Sequence, residues 1–216
     1  MLFRSKAFRG LTIDKAKPGD SPSWTQGDID TLAAIPNYYL LYYYQTQSWI
    51  NYQSTHDTRA SEVIKIEEEL IEKFRNTELI AKPEELMKRG GAYYSDSAAE
   101  LMADIHNDSG TTHIVNTLNQ GAIPGIAHDA VVEIPAKISK KGASAISTTA
   151  LRPDIDALVS SVKDFELLTI DAALTGNEDS AIRALISNPI GPDLSVAKDL
   201  WQDLKKENAG MIGLFN

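Results

Sequence analysis

A chain of 216 residues, 43% hydrophobic and 24% charged, is long enough to bury a core and too apolar to stay disordered. Its net charge of -9, with no basic cluster larger than doublets such as Lys140-Lys141 and Lys205-Lys206, excludes a broad phosphate-neutralising face for nucleic acid, though not the binding of one phosphorylated small molecule. There is no cysteine, hence no disulfide or thiolate metal site, and no apolar run of roughly 20 residues that would span a membrane.

Residues 1–26, with Gly10, Pro18, Gly19 and Pro22, lack periodicity and read as an irregular leading segment. The basic start has no apolar stretch or small-residue cleavage site of a secretory signal, so a cytoplasmic protein is expected. From Asp28 the apolar positions Ile29, Leu32 and Ala33 recur at helical spacing. Pro36 interrupts them and Tyr39, Leu40 and Tyr43 resume, which predicts a kinked or broken helix. Asp57 or Thr58 is placed to cap a helix through Val63, Ile66, Leu70, Ile71 and Phe74, with Glu67 to Glu69 on its wet side.

A short helix is expected after Pro83, ending near Lys88; Gly90-Gly91 then forms a turn that delivers Tyr93 and Tyr94 to the next helix start. Ser97-Ala98-Ala99-Glu100 has the form of a capping box and predicts an amphipathic helix through Leu101 and Ile105. Two β-rich runs, His113 to Leu118 and Ala130 to Ile138, flank a loop from Gly121 to Gly125 and suggest an antiparallel pair. The last third is helical: Ile155 to Ala172 with Gly176 as its end, then Asp179 to Ser187, then Asp193 to Lys206. No repeat or low-complexity linker divides the chain, so a single α+β domain is expected over residues 27–216, mostly helical with a small antiparallel sheet.

The segment from Ile35 to Tyr44 holds five tyrosines in ten residues, and six of the chain's eight lie between 38 and 52. A tyrosine in such a segment serves the core, stacks on a sugar, or acts as a general base when a nearby cation favours its charged form. His56, His106, His113 and His128 have no metal-ligand spacing and read as surface or structural residues, so no metal site is assigned. Neither G-x-S-x-G nor G-x-G-x-x-G occurs.

Five ordered motifs resemble those of glycoside hydrolase family 4. They are Ile35-Pro36-Asn37-Tyr38-Tyr39-Leu40-Leu41-Tyr42-Tyr43-Tyr44, Thr58-Arg59-Ala60-Ser61-Glu62-Val63, the run from Lys88-Arg89-Gly90-Gly91 to Ser95, the run from Val115-Asn116 through Asn119 to Ile123, and Asn188-Pro189-Ile190-Gly191-Pro192-Asp193. Leu118 and Gln120 depart from the family pattern, which has arginine and asparagine as common residues there.

The resemblance implies a domain like the C-terminal one of lactate dehydrogenase-like NAD enzymes. It also implies a glycosidase outside the two-carboxylate scheme, acting on 6-phospho-β-glucosides or phosphorylated disaccharides. In that family NAD takes hydride from C3 while manganese attends the C2 and C3 oxygens, a tyrosine removes the C2 proton, and the aglycone is eliminated. Carried over, the base is Tyr39, and Arg59, Asn116 and Asn119 are substrate-binding candidates; for the two asparagines, building the turn is the competing role.

Complete family members also have a glycine-rich NAD-binding domain and a cysteine and a histidine on the metal. No such parts are found here, so the chain is expected to be a C-terminal portion that binds neither NAD nor manganese by itself and is inactive alone. A homo-oligomer is expected. The alternatives are a 6-phospho-α-glucosidase, and a non-catalytic sugar-phosphate-binding or oligomerisation module.

Overall fold

The computed structural model describes residues 21–89 and 94–215. Most of the leading segment, the Gly90-Gly91 turn and Tyr93 lie outside those residues. The chain is an α+β protein, mostly helical with a small antiparallel sheet. It divides into two compact units. Among the described residues, the first takes in those of 21–41, 47–122 and Ala127–Ser147, and the second Tyr42–Thr46, Ile123–Ile126 and 148–215.

In the first unit, α1 (Gln26–Leu32) opens with a reciprocal cap: Thr25 Oγ1 accepts from the Asp28 N–H at 3.2 Å, and Asp28 Oδ2 accepts from the Thr25 N–H at 2.8 Å. The helix breaks rather than kinks, with Ala33 in the left-handed region at φ 46°. Pro36 disfavours helical backbone at the residue before it, so the chain leaves the helix early and re-enters through a single 3-10 turn, Tyr38–Leu40, and α2 (Leu41–Tyr44), of which only Leu41 belongs to the first unit. Helix α3 (Thr46–Gln53) follows, with Trp49 buried. Of the two candidate caps for α4 (Arg59–Phe74), Thr58 is the one used: its side chain accepts from the Ser61 N–H at 3.2 Å.

Helix α5 (Leu86–Arg89) is tied back to α4 by the Lys73–Glu85 ion pair at 2.6 Å. Helix α6 (Tyr94–Asn107) corrects the capping-box expectation: Ser97 lies inside the helix, which starts three residues earlier and carries Asp96 in its first turn, where a carboxylate suits the dipole. Strands β1 (Thr112–Leu118) and β2 (Val131–Ser139) form the expected antiparallel pair, and β3 (Gly142–Ala145) adds a third strand beyond β2. Along β2 the residues Val132, Ile134, Ala136 and Ile138 are buried while Val131, Glu133 and Lys137 are exposed, the two-residue period of a half-buried strand.

A carboxylate hub joins α6 to β1. Nε2–H of His113 donates to Asp104 Oδ2 at 2.5 Å, and the hydrogen bond from His113, followed by that from Ser109, holds the Asp104 carboxyl below its ordinary value. A depressed carboxylate stabilises the fold above its unfolded value of about 3.9, and that contribution fades as pH falls toward the folded value. Asp104→Asn should therefore lower the thermal midpoint at pH 6, with the gap to the wild-type chain closing toward pH 3. A gap that stayed constant across thermal scans in that range would refute the ionic origin.

In the second unit, α7 (Pro153–Thr175) ends at Gly176, whose φ of 70° is the left-handed cap, and α8 (Glu178–Ser187) and α9 (Leu194–Glu207) follow. Ala172, Ala181 and Trp201 form its core with Ile182, Leu185 and Phe215 around them. The turn between α8 and α9 is the last of the five motifs. Asn188 Oδ1 accepts from the Ile190 N–H at 3.0 Å, the Gly191 N–H donates to the Asn188 carbonyl at 2.7 Å, and Asp193 caps α9 by accepting from the Val196 N–H at 3.0 Å. Among the described residues, no helix is long and apolar enough to cross a membrane.

Candidate active site

Tyr39 stands in the 3-10 turn Tyr38–Leu40, and that turn is fixed from its preceding residue. Asn37 Oδ1 accepts from the Leu40 N–H at 3.1 Å, and Nε1–H of the buried Trp24 donates to the Asn37 carbonyl at 3.2 Å. Beyond this anchored backbone the phenol of Tyr39 reaches outward, 74% exposed. Its ring meets Tyr38 edge-on, with centroids 6.1 Å apart.

Tyr44 differs. It lies in the second unit, where burial first, and then Tyr43 and Asp154, push its phenol up against the opposing pull of Arg152. Beside it Arg152 donates to both oxygens of Asp154 at 2.6 and 2.7 Å, and this bidentate pair holds the Asp154 carboxyl down to about 2. Of these two tyrosines, Tyr39 is the more exposed.

Arg59 is the first residue of α4 and more than half exposed. One terminal nitrogen pairs with Glu62 at 3.1 Å, and the other donates to the Lys88 carbonyl at 2.5 Å. The T-R-A and K-R-G-G motifs, 29 residues apart, thus meet through a guanidinium. A planar fork already oriented by two acceptors presents its remaining donors in a fixed direction, which suits an oxygen-rich or phosphorylated ligand.

The two asparagines are not brought together. Asn116 is exposed on β1 opposite Glu133, while Asn119, just past the strand, is fully buried. Asn119 organises the loop: its N–H donates to the Ala130 carbonyl at 2.8 Å, its carbonyl accepts from Ala122 at 2.8 Å, and its amide Nδ2 donates to the Ala127 carbonyl at 3.3 Å. This geometry supports the turn-building role.

Among the described residues no group of three or more His, Asp or Glu side chains converges as a metal ligand set, and there is no cysteine. The residues described therefore do not fit a metal ion by themselves. One contribution less legible in the sequence is the backing of the tyrosine turn. Trp49, Tyr52 and His56 are spaced three and four residues apart and pack in series, with centroids 5.8 and 4.0 Å apart.

Residues 20–191 match the family model for the family 4 glycosyl hydrolase C-terminal domain. The chain belongs to this family. It is 40% identical over 204 residues to a 6-phospho-beta-glucosidase of Thermotoga maritima, covering 94% of this chain and 48% of that protein. A solved structure of the 6-phospho-beta glucosidase from Thermotoga maritima with manganese, NAD+ and glucose-6-phosphate superposes with a TM-score of 0.77 at 38% identity, covering 86% of this chain and 44% of that one. A phospho-alpha-glucosidase of Clostridium acetobutylicum is 28% identical over 181 residues, covering 82% of this chain and 40% of that protein. The chain spans about half the length of the curated family 4 relatives it matches.

Proposed function

We propose that this chain is the C-terminal, substrate-facing domain of a 6-phospho-β-glucosidase, with residues 27–216 as the domain and NAD and manganese held by the remainder of the complete protein. The observation that carries the reading is the 40% identity to the Thermotoga maritima 6-phospho-beta-glucosidase over 94% of the chain. The β reading is favoured over the α reading by that value set against 28% for the phospho-alpha-glucosidase.

In this reading the phenolic oxygen of Tyr39 removes the C2 proton of the bound 6-phospho-sugar. The electron pair left on C2 forms the C1–C2 double bond as the bond from C1 to the aglycone oxygen breaks, and that oxygen takes a proton from solvent; NAD, when bound, would supply the C3 oxidation that makes the C2 proton acidic and, once water has added across C1 and C2, the hydride that restores C3. Arg59 binds the phosphate or the sugar oxygens through the donors that Glu62 and Lys88 leave over. Asn116, exposed on β1, is the second ligand contact, while Asn119 acts through the loop it holds. The complete protein works in the cytoplasm, as a homo-oligomer.

The test is turnover by the complete protein with NAD and manganese. A chromogenic 6-phospho-β-glucoside should be cleaved and the unphosphorylated glucoside left intact. Arg59→Ala should raise KM for the phosphorylated substrate roughly tenfold or more, as expected for a lost charged hydrogen bond, while the affinity for NAD stays unchanged. No cleavage of any 6-phospho-glucoside would sink the glycosidase reading and favour a binding or oligomerisation module.

A further inference from the structure

A general base has to be held in one place, and within this chain the ring of Tyr39, 74% exposed, meets that of Tyr38 edge-on. Its edge-on neighbour Tyr38 is itself 52% exposed. Tyr38 does not end in solvent, however: its ring abuts Trp49 edge-on at 6.2 Å, and Trp49 is only 8% exposed.

From Trp49 the row continues to Tyr52 at 5.8 Å and to His56, which stacks on Tyr52 at 4.0 Å with an interplanar angle of 14°. His56 is fixed to the main chain, its Nδ1 lying 2.9 Å from the Tyr52 carbonyl. Five rings thus run from a main-chain anchor, through a buried tryptophan, to the exposed Tyr39. Edge-to-face pairs have a preferred geometry, so the row resists swinging of its last member.

We propose that Tyr38, braced by Trp49, is a positioning residue for Tyr39, fixing the phenol that takes the C2 proton; this rests on the reading of Tyr39 as the base. Tyr38 touches no reacting atom in the proposal and acts through its neighbour. Losing its ring leaves Tyr39 free to turn, and misplacement of a catalytic group by about 1 Å can cost up to ~100-fold.

The experiment uses the complete protein with NAD and manganese. It follows exchange of the C2 hydrogen of glucose 6-phosphate with D2O by NMR, alongside KM for a 6-phospho-β-glucoside. Tyr38→Ala is expected to slow C2 exchange on the order of tenfold with KM within about twofold of the wild-type value, and Tyr38→Phe is expected to retain exchange. Exchange by Tyr38→Ala at the wild-type rate overturns the proposal, as does a KM that rises in step with the loss. Tyr39→Phe separates the two readings. Undiminished exchange in that variant refutes the base assignment itself, whereas abolished exchange there with normal exchange in Tyr38→Ala refutes only the positioning role.

Discussion

Tyr39→Phe in the complete protein is expected to lower turnover of a 6-phospho-β-glucoside by roughly 10²- to 10⁴-fold, the range that a positioned general base contributes. The substitution removes one oxygen and keeps the ring, so the edge-on contact with Tyr38 and the capped turn from Asn37 to Leu40 stay in place. Because the phenol is exposed, no buried hydrogen bond is broken and the fold should be undisturbed. The affinity for NAD should stay the same, while exchange at C2 is lost together with kcat. Turnover within tenfold of the wild-type value would remove Tyr39 from the role.

The second large effect concerns architecture. Gly191→Ala should destabilise the protein by about 3 kcal/mol, the upper end of the cost of overpacking. A Cβ at this position would lie 2.0 Å from the Leu185 carbonyl oxygen and 3.0 Å from that of Asn188. Both obstacles are backbone, and the Gly191 N–H is itself engaged with the Asn188 carbonyl, so the turn has no cheap way to yield. Gly27→Ala is the control. Gly27 lies in α1, where the nearest atom to a new Cβ is Thr25 Oγ1 at 3.7 Å, and alanine there should be neutral or slightly stabilising. Urea unfolding of the two variants would measure the contrast, and equal midpoints would contradict the steric account.

Much of the fold is legible because its signals are local. The alternation along β2, the capping oxygens of Thr58 and Asp193 and the glycine after α7 each fix an element within a few residues. The elements less legible in the sequence have other origins. Strand β3, Gly142 to Ala145, contains no β-branched or aromatic residue; it is a strand because β2 offers it a ladder, which is a tertiary fact. Ser97 looked like a cap because the pattern with Glu100 is a real one, but a helix already begun at Tyr94 has no use for it.

In the candidate site, Tyr39 and Arg59 stand in legible motifs, and the fold adds what a motif does not carry. The guanidinium bridges to Lys88, and the tyrosine turn is secured by Trp24 through the Asn37 carbonyl. Asn119 shows the opposite case. A polar residue in a motif invites a ligand, yet full burial and three bonds within the loop give it a structural occupation.

The turn from Asn188 to Asp193 bears on how relatives of this chain are recognised. Its glycine answers to a backbone collision, its asparagine to a turn amide and its aspartate to a helix end, so none of the three is bound to the chemistry proposed for Tyr39. Descendants that had exchanged Tyr39 or Arg59 and given up catalysis would still be under pressure to keep all three. A genome survey keyed on this stretch would gather retired enzymes along with working ones, and the tyrosine turn is where the two would be told apart.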